Sequence, residues 1–417
     1  MLSLIVSSLK VEVLTVIEKR RKKFGLLAVV LLGMISLAAC GNEEVNLFPE
    51  TIEMAIEIAE LQTTTTVPGI TIALVDAESG FTWTAGFGYA DTLTERLVTA
   101  DTIFPIASVS KPVTAIAVMQ LVEQGLIDLD NPITTYLPEF SMLPGSTGAN
   151  YENITVRMLL NHTAGFPLFL DFRDPELNAL LTGFHEFDLD YSWLNQLLVH
   201  LPEQAPFFEG GTNIHYSSAG IDLLGAIIGA VLDYDYYFEG FIYQTHENIF
   251  SRLDMSNSFF LSPEEMLLNY AMPYTGRAIQ MDIIRDSGMV DSPNGMESTA
   301  NDMAILMHAI LNDTRAGTGQ LLEQDSFLQM FDFNEDFNVF INGRRSVGLG
   351  FMHRTDSSGV SFIGHSGTTF FHFSEMVFDL ESGIGVFVST NSSSGGGLAP
   401  WLAEEVLRGA IEEKAGD

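Results

Sequence analysis

Residues 106–113 read IASVSKPV, and the serine and lysine three positions apart in that stretch, Ser108 and Lys111, are well spaced for chemistry. On a helix, positions i and i+3 share a face with Cβ atoms about 5–6 Å apart, so the two side chains can meet. A serine hydroxyl is a weak nucleophile until a base takes its proton. A lysine in the first turn of a buried helix can be that base, because desolvation and the positive end of the helix dipole both disfavour its ammonium form. The structural alternative is that Ser108 caps the helix and Lys111 lies on the surface. Scarcity weighs against that alternative: after position 40 the chain holds one other lysine, Lys414.

The elements that must position this pair can be read on either side of it. Pro49 opens PETIEMAIEIAEL, in which Ile52, Met54, Ile56, Ile58 and Leu61 are expected to make a helical face. VPGITIALVDAESGFTWTAGFGYAD alternates around Ser79 and Gly80 as a hairpin does. SVSKPVTAIAVMQLVEQG then reads as a mostly apolar helix stopped near Gly125, with Ser108 at its start. From about 130 to 315 the pattern is helical or irregular and broken by Pro132, Pro138, Pro144, Pro167, Pro202 and Pro206. Strand signals return with the Asn342–Gly343 turn, SVGLGF, GVSFIGHSG, FSEMVFDL and GIGVFVSTN, and a helix follows from about Pro400 to Glu413. The expected fold is α+β within the broad α/β class. It has one antiparallel sheet flanked by N- and C-terminal helices and a mostly helical lobe inserted at about 130–315, which leaves a cleft between lobe and sheet. The run SSSGGG at 392–397 reads as a flexible loop that follows Asn391 and borders that cleft.

The N-terminus belongs to another story. Lys19, Arg20, Arg21, Lys22 and Lys23 precede the apolar run Phe24–Leu37, and LAAC ends at Cys40, the order of basic region, hydrophobic region and small residues found in a secretory signal. The run is shorter than the roughly 20 apolar residues of a spanning helix. Residues 1–18 precede this pattern and fit no part of it, as a misassigned start would leave them. Residues 41–48 read as a tether, and 49–415 as one folded domain. Cys40 is the only cysteine, so no disulfide can form within the chain. Without residues 1–40 the chain keeps 13 Lys and Arg against 52 Asp and Glu, a net charge of −39. Nucleic acid and anionic membrane surfaces would repel such a body, and the acidity fits a solvated surface adapted to high salt. No HExxH or similar histidine pairing occurs, so neither metal nor other cofactor is expected, and no GxSxG elbow points to an α/β-hydrolase.

The block DTIFPIASVSKPVTAIAVMQLVEQGLIDLDNPITTYLPEF resembles the first block of the serine β-lactamase and DD-peptidase superfamily. Its nearest branch groups class C β-lactamases, DD-carboxypeptidases and esterases. Further blocks follow in that family's order: ITVRMLLNHTAGFP at 154–167, HYSSAGIDLLGAIIGAV at 215–231, GMESTANDMAILMHAIL at 295–311 and GHSGTTFF at 364–371. The LAAC segment likewise resembles a bacterial lipoprotein signal, with Cys40 as the lipidated residue. An ordinary cleaved signal or an uncleaved anchor is the alternative.

The resemblance implies a β-lactamase/transpeptidase-like fold, Ser108 as acylated nucleophile and Lys111 as its partner. It implies Tyr216 as a proton relay whose phenol is made more acidic by nearby cations, and His365 at the third motif. It also implies an oxyanion hole built from the N–H groups of Ser108 and Thr368. Ser218 stands where many relatives have asparagine, and with Ser366, Gly367 and Asn391 is expected to line the substrate site. Gly367 is expected to let substrate backbone approach its strand. His365 replaces a lysine common in β-lactamases and is expected to be only partly charged near neutral pH. With asparagine absent at 218, this favours an esterase, DD-carboxypeptidase or D-aminopeptidase over a β-lactamase proper. The substrate is expected to be a small molecule or peptide with an acyl group. The competing reading is an inactive surface lipoprotein that binds without catalysis. His162, in NHTAG, is expected to close a helix rather than do chemistry. The leader implies export and a lipid anchor on the periplasmic or cell-surface side of a bacterial membrane.

Overall fold

The structure, a computed structural model, describes residues 46–145, 149–168, 205–260, 264–277, 279–281, 292–340 and 343–416. The signal, Cys40 and most of the tether lie outside them, as does Asn342 of the expected turn. The chain divides into two units, 1–47 and 48–417, and the second carries the fold described below. Among the described residues no helix is long and apolar enough to cross a membrane.

The described elements run α1 (Pro49–Thr65), β1 (Gly69–Asp76), β2 (Phe81–Asp91), β3 (Arg96–Leu97), β4 (Phe104–Ala107), α2 (Ser110–Glu123), α3 (Val156–Leu160), α4 (Ser218–Val231) and α5 (Tyr237–Thr245). They continue with β5 (Tyr274–Thr275), β6 (Ile279–Gln280), β7 (Met296–Ser298), α6 (Ala300–Ala316) and α7 (Gln324–Met330). The last are β8 (Asn334–Phe340), β9 (Arg344–Val347), β10 (Met352–Thr355), β11 (Ser361–Thr368), β12 (Phe373–Asp379), β13 (Ile384–Thr390) and α8 (Leu398–Gly416). Nine strands form one antiparallel sheet in the order β3-β2-β1-β13-β12-β11-β10-β9-β8. The first and last of the described strands thus lie side by side within it, where Ile72 pairs with Val388. The helices α1 and α8 pack together and against the sheet, so the flanking helices and main antiparallel sheet are as the pattern implies, with β4–β7 and β5–β6 as two small antiparallel pairs beside it.

A boundary, a helix face and the placement of a helix differ from the sequence reading. Phe48, assigned to the tether, is 1% exposed and sets its ring edge-on to Phe81 at 5.3 Å, so the domain begins with an anchored aromatic. On α1 the buried face is Thr51, Ile52, Ala55, Ile58, Ala59, Gln62 and Thr63, while Leu61 is exposed. Small residues win that face because α8 and the sheet approach closely. The helix α6, placed in the inserted lobe, instead packs on β1, β2 and β13. Its Thr299 cap accepts from the Asp302 N–H, and Leu306, Met307, Ile310 and Leu311 turn into the core. Periodicity gives a helix its apolar face but not the layer that covers it.

The SSSGGG run is also more ordered than its composition suggests. Ser392 is fully buried and donates to the Gly276 carbonyl at 2.5 Å, and the Ser393 N–H donates to the Tyr274 carbonyl at 2.9 Å. Serine hydroxyls satisfy the backbone of a tight crossing there instead of leaving it to solvent.

Candidate active site

Strand β4 delivers the chain to the nucleophile position through a strained residue. Ala107 has φ of 49° and ends β4 at a register shift against β7. Ser110 fixes the turn: its hydroxyl donates to the Ala107 carbonyl and accepts from the Met296 N–H at 2.8 Å. Ser108 does not cap α2. The capping position is Val109, with no side-chain bond, and Ser108 Oγ instead accepts from Lys111 Nζ at 2.7 Å. Lys111 is fully buried, as the helix pattern requires of that face.

The second motif is held by a cap of its own. Ser217 precedes α4, accepts from the Gly220 N–H at 2.9 Å and donates to the Pro167 carbonyl at 2.6 Å. That fixes Tyr216 just outside the helix and Ser218 at its first position, where Ser218 Oγ accepts from Lys111 Nζ at 3.3 Å. Lys111 Nζ also lies 4.9 Å from the centre of the Tyr216 ring. Tyr216 Oη is within hydrogen-bonding reach of Ser108 and stands 3.5 Å from His365 Nε2.

The third motif comes from β11. His365 is 1% exposed, and its Nδ1–H donates to the Ser366 carbonyl at 2.6 Å, which leaves Nε2 as the acceptor facing Tyr216. Ser108, Lys111, Tyr216, Ser218 and His365, drawn from three separate segments, therefore converge.

Electrostatics refine these roles. Burial lowers the Lys111 pKa, against an opposing pull from Asp222, and leaves it at about 7. Burial raises that of Tyr216, although the bond to Ser108 works the other way. The expected acidic phenol is thus corrected: at neutral pH Tyr216 keeps its proton, because the cost of burying a phenolate exceeds what the bond to Ser108 returns. His365 is corrected as well. Burial first, and the nearby Lys111 charge second, hold it well below the ordinary histidine value, so it is neutral rather than partly charged.

The remaining expected residues divide. Thr368 ends β11 paired with Phe373 and is exposed, one residue beyond the contact of β11 with β4. Gly367 makes that contact. A Cβ there would lie 2.0 Å from the Ile106 carbonyl oxygen, so this glycine admits the chain's own β4, not a substrate backbone. Ser366 is 3% exposed and its carbonyl orients His365. Asn391 is not brought to the cluster: its Oδ1 accepts from the Gly69 N–H at 2.8 Å and its Nδ2 donates to the Tyr89 carbonyl at 3.1 Å. It is fully buried and ties strand ends together, a task that consumes both ends of its amide.

His162 has a larger part than closing α3. It has φ of 61°, lies tilted against the Tyr216 ring at 4.5 Å between centroids, and its Nδ1 accepts from the Ser217 N–H at 3.3 Å. Burial, with the Lys111 charge second, lowers its pKa to about 3, so this support is a neutral ring. Asp222 and Asn294 were missed altogether. Asn294 Nδ2 donates to the Ser218 carbonyl at 3.0 Å and to the Asp222 carboxylate. An i,i+4 relation to Ser218 is the one sequence signal that could have found Asp222. Among the described residues no cluster of His, Cys, Asp and Glu is arranged to hold a metal.

Comparison with known proteins gives the chain its family. A β-lactamase of Yersinia enterocolitica is 29% identical over 263 residues, 62% of this chain and 59% of its own length. The esterase EstB of Burkholderia gladioli is 32% identical over 157 residues, 38% of this chain and 39% of its own. The chain spans about half the length of the curated relatives it matches. Among solved structures, the octameric penicillin-binding protein homologue of Pyrococcus abyssi superposes with a TM-score of 0.68 at 23% identity, over 87% of this chain and 77% of that one. The family description "Beta-lactamase" matches residues 57–408, and with Ser108, Lys111 and Tyr216 assembled within that span the chain belongs to the Beta-lactamase family.

Proposed function

We propose that this protein is a serine hydrolase that transfers an acyl group from a small ester to Ser108 and then to water. The observation that carries the reading is the 2.7 Å contact of Lys111 Nζ with Ser108 Oγ, on a lysine whose pKa burial brings to about 7. A substantial fraction is then neutral amine at working pH, and its lone pair can take the serine proton as Oγ attacks the carbonyl carbon. The N–H groups of Ser108 and Thr368 are assigned to the oxyanion. As the tetrahedral intermediate collapses, the leaving oxygen receives a proton from Tyr216, which is replenished from the Lys111 ammonium. A water then repeats the attack on the acyl-enzyme with the same base. Tyr216 acts as a neutral donor, in keeping with its raised pKa.

The lean to esters rests on His365. A buried neutral imidazole offers no fixed positive charge for the carboxylate of a β-lactam or a peptide C-terminus. The lipoprotein-type leader supports placing the protein on the outer face of a bacterial membrane, anchored through Cys40. Incorporation of labelled palmitate in expressing cells, abolished by Cys40→Ser, tests that placement.

The activity is tested by intact mass after fluorophosphonate treatment, followed by turnover of nitrophenyl esters, a chromogenic cephalosporin and D-Ala-D-Ala peptides. One adduct is expected on the protein and none on Ser108→Ala, with ester hydrolysis the strongest activity. No adduct at all, or one that survives Ser108→Ala, leaves a non-catalytic binding protein as the better reading.

A further inference from the structure

The geometry points to a positioning role for Asp222: held by Asn294, its carboxylate is the buried counter-charge of the Lys111 base. This inference rests on the reading of Lys111 as the group that takes the Ser108 proton.

Asp222 is 1% exposed and sits one turn beyond Ser218 on α4, so the two share a face. Ser218 Oγ is 3.3 Å from Lys111 Nζ, which turns that face toward the lysine. The segment around Asn294 is wedged between α4 and α2. Thr114, one turn beyond Lys111, donates to the Pro293 carbonyl at 2.7 Å. Gly225 of α4 leaves room for Pro293, since a Cβ there would lie 2.4 Å from Pro293 Cγ. The Asn294 N–H is fixed by Ser292 Oγ at 3.1 Å, and its amide bonds the Ser218 carbonyl and the Asp222 carboxylate together. One asparagine therefore sets the carboxylate relative to the serine that touches the lysine.

The titratable rings that face Lys111 carry no charge at working pH. His162 after α3 and His365 on β11 are held neutral by burial, and Tyr216 keeps its proton. On β7, Met296 bonds the start of α2, while the backbone of Glu297 pairs with Phe259. Asp222 remains as the charge that acts on the lysine, and it opposes the larger effect of burial. Without it, burial alone would hold Lys111 neutral to lower pH.

The test is the pH dependence of kcat/KM for nitrophenyl acetate with the full chain, in the wild type, Asp222→Asn, Asp222→Ser and Asn294→Ala. The acid limb of the wild type reports deprotonation of Lys111. In either neutral variant it is expected to move down by about 1–3 pH units, the usual reach of a close opposite charge. Asn294→Ala leaves the carboxylate less compensated, and its limb is expected to move up by a smaller amount. A purely structural role lowers the plateau and leaves the limb in place, so an unmoved limb in a folded Asp222 variant overturns the inference. Should neither Asp222 variant fold, an unmoved limb in Asn294→Ala overturns it. A wild type without Ser108-dependent turnover instead defeats the reading of Lys111 as base, and this inference with it.

Discussion

The two lysines that follow residue 40 sit in opposite surroundings. Lys414, near the end of α8, is partly exposed and donates to Asp76 at 2.9 Å, Glu78 at 3.1 Å and the Ser382 carbonyl at 2.8 Å. Lys111 is fully buried, and its bonded partners are the hydroxyls of Ser108 and Ser218. A carboxylate in contact favours the ammonium, whereas hydroxyls in a dry site can serve either protonation state. The first lysine is a clamp from the end of α8 to the turns that follow β1 and β12. The second is the base of the proposed reaction, because its nearest partners do not hold its proton in place. Rarity in the sequence marked both, and only the partners separate them.

The largest expected effect breaks the comparison at Lys111. Lys111→Met should lower ester turnover by about 10²–10⁴-fold, the usual contribution of a positioned general base. It should also remove a pH dependence of stability. The folded pKa of about 7 lies below the ordinary 10.5, so between those values the unfolded chain binds a proton that the folded chain does not. Stability of the wild type relative to the variant therefore rises from pH 7 to about pH 10. Urea unfolding at pH 7, 8.5 and 10 measures this, and a flat difference would contradict a buried lysine of lowered pKa.

A smaller and opposite effect belongs to Lys414. Lys414→Met should leave ester turnover unchanged and cost about 1–3 kcal/mol of stability, because the nearly buried carboxylate of Asp76 loses its cation. Burial pushes the Asp76 pKa up, but bonds from Lys414, Ser79 and the Glu78 N–H together hold it below its ordinary 3.8. A depressed carboxylate stabilises the fold above the unfolded pKa and loses that contribution as pH falls through the folded one. The deficit of Lys414→Met should therefore be full at neutral pH and shrink below about pH 4. Thermal unfolding of both proteins at pH 7 and pH 3 checks it, and a deficit that grew on acidification would rule out the Asp76 contact as its source.

The same contrast explains which parts of the site were legible in the sequence. Lys111 stands in the first turn of α2 and Ser108 three residues before it in the turn that enters the helix, so their meeting follows from spacing alone. Tyr216 and His365 were found by order and type, and their convergence needed the resemblance. Their ionisation was read wrongly. Whether a phenol or an imidazole carries charge depends on burial by segments 50 to 150 residues away, which no local pattern encodes. Asp222 and Asn294 are separated by 72 positions, and neither stands in a motif that singles out its type. The sheet and its flanking helices were legible because alternation and periodicity repeat over many residues. The placement of α6 was not, since an apolar helical face suits the lobe and the sheet equally well.

The smallest effect concerns the approach to Ser108. Ala107 holds a left-handed backbone at φ of 49°, which costs a non-glycine residue about 1–2 kcal/mol. The cost is sustained because the turn is over-determined: β4 pairs with β7, and Ser110 bonds both the Ala107 carbonyl and the Met296 N–H. Ala107→Gly removes the strain but adds about 0.5–1 kcal/mol of conformational freedom to be lost on folding. The net expectation is a gain of up to about 1 kcal/mol. Turnover should fall by less than the loss at Lys111→Met, because a freer turn holds Ser108 less steadily against Nζ. No comparable change is expected from a glycine placed on the Lys414 face of α8, where the helix is unstrained and its loss costs only propensity. A variant Ala107→Gly that is more than about 1 kcal/mol less stable than the wild type would show that the left-handed turn is not strained, and that its carbonyl bond from Ser110 carries the geometry instead.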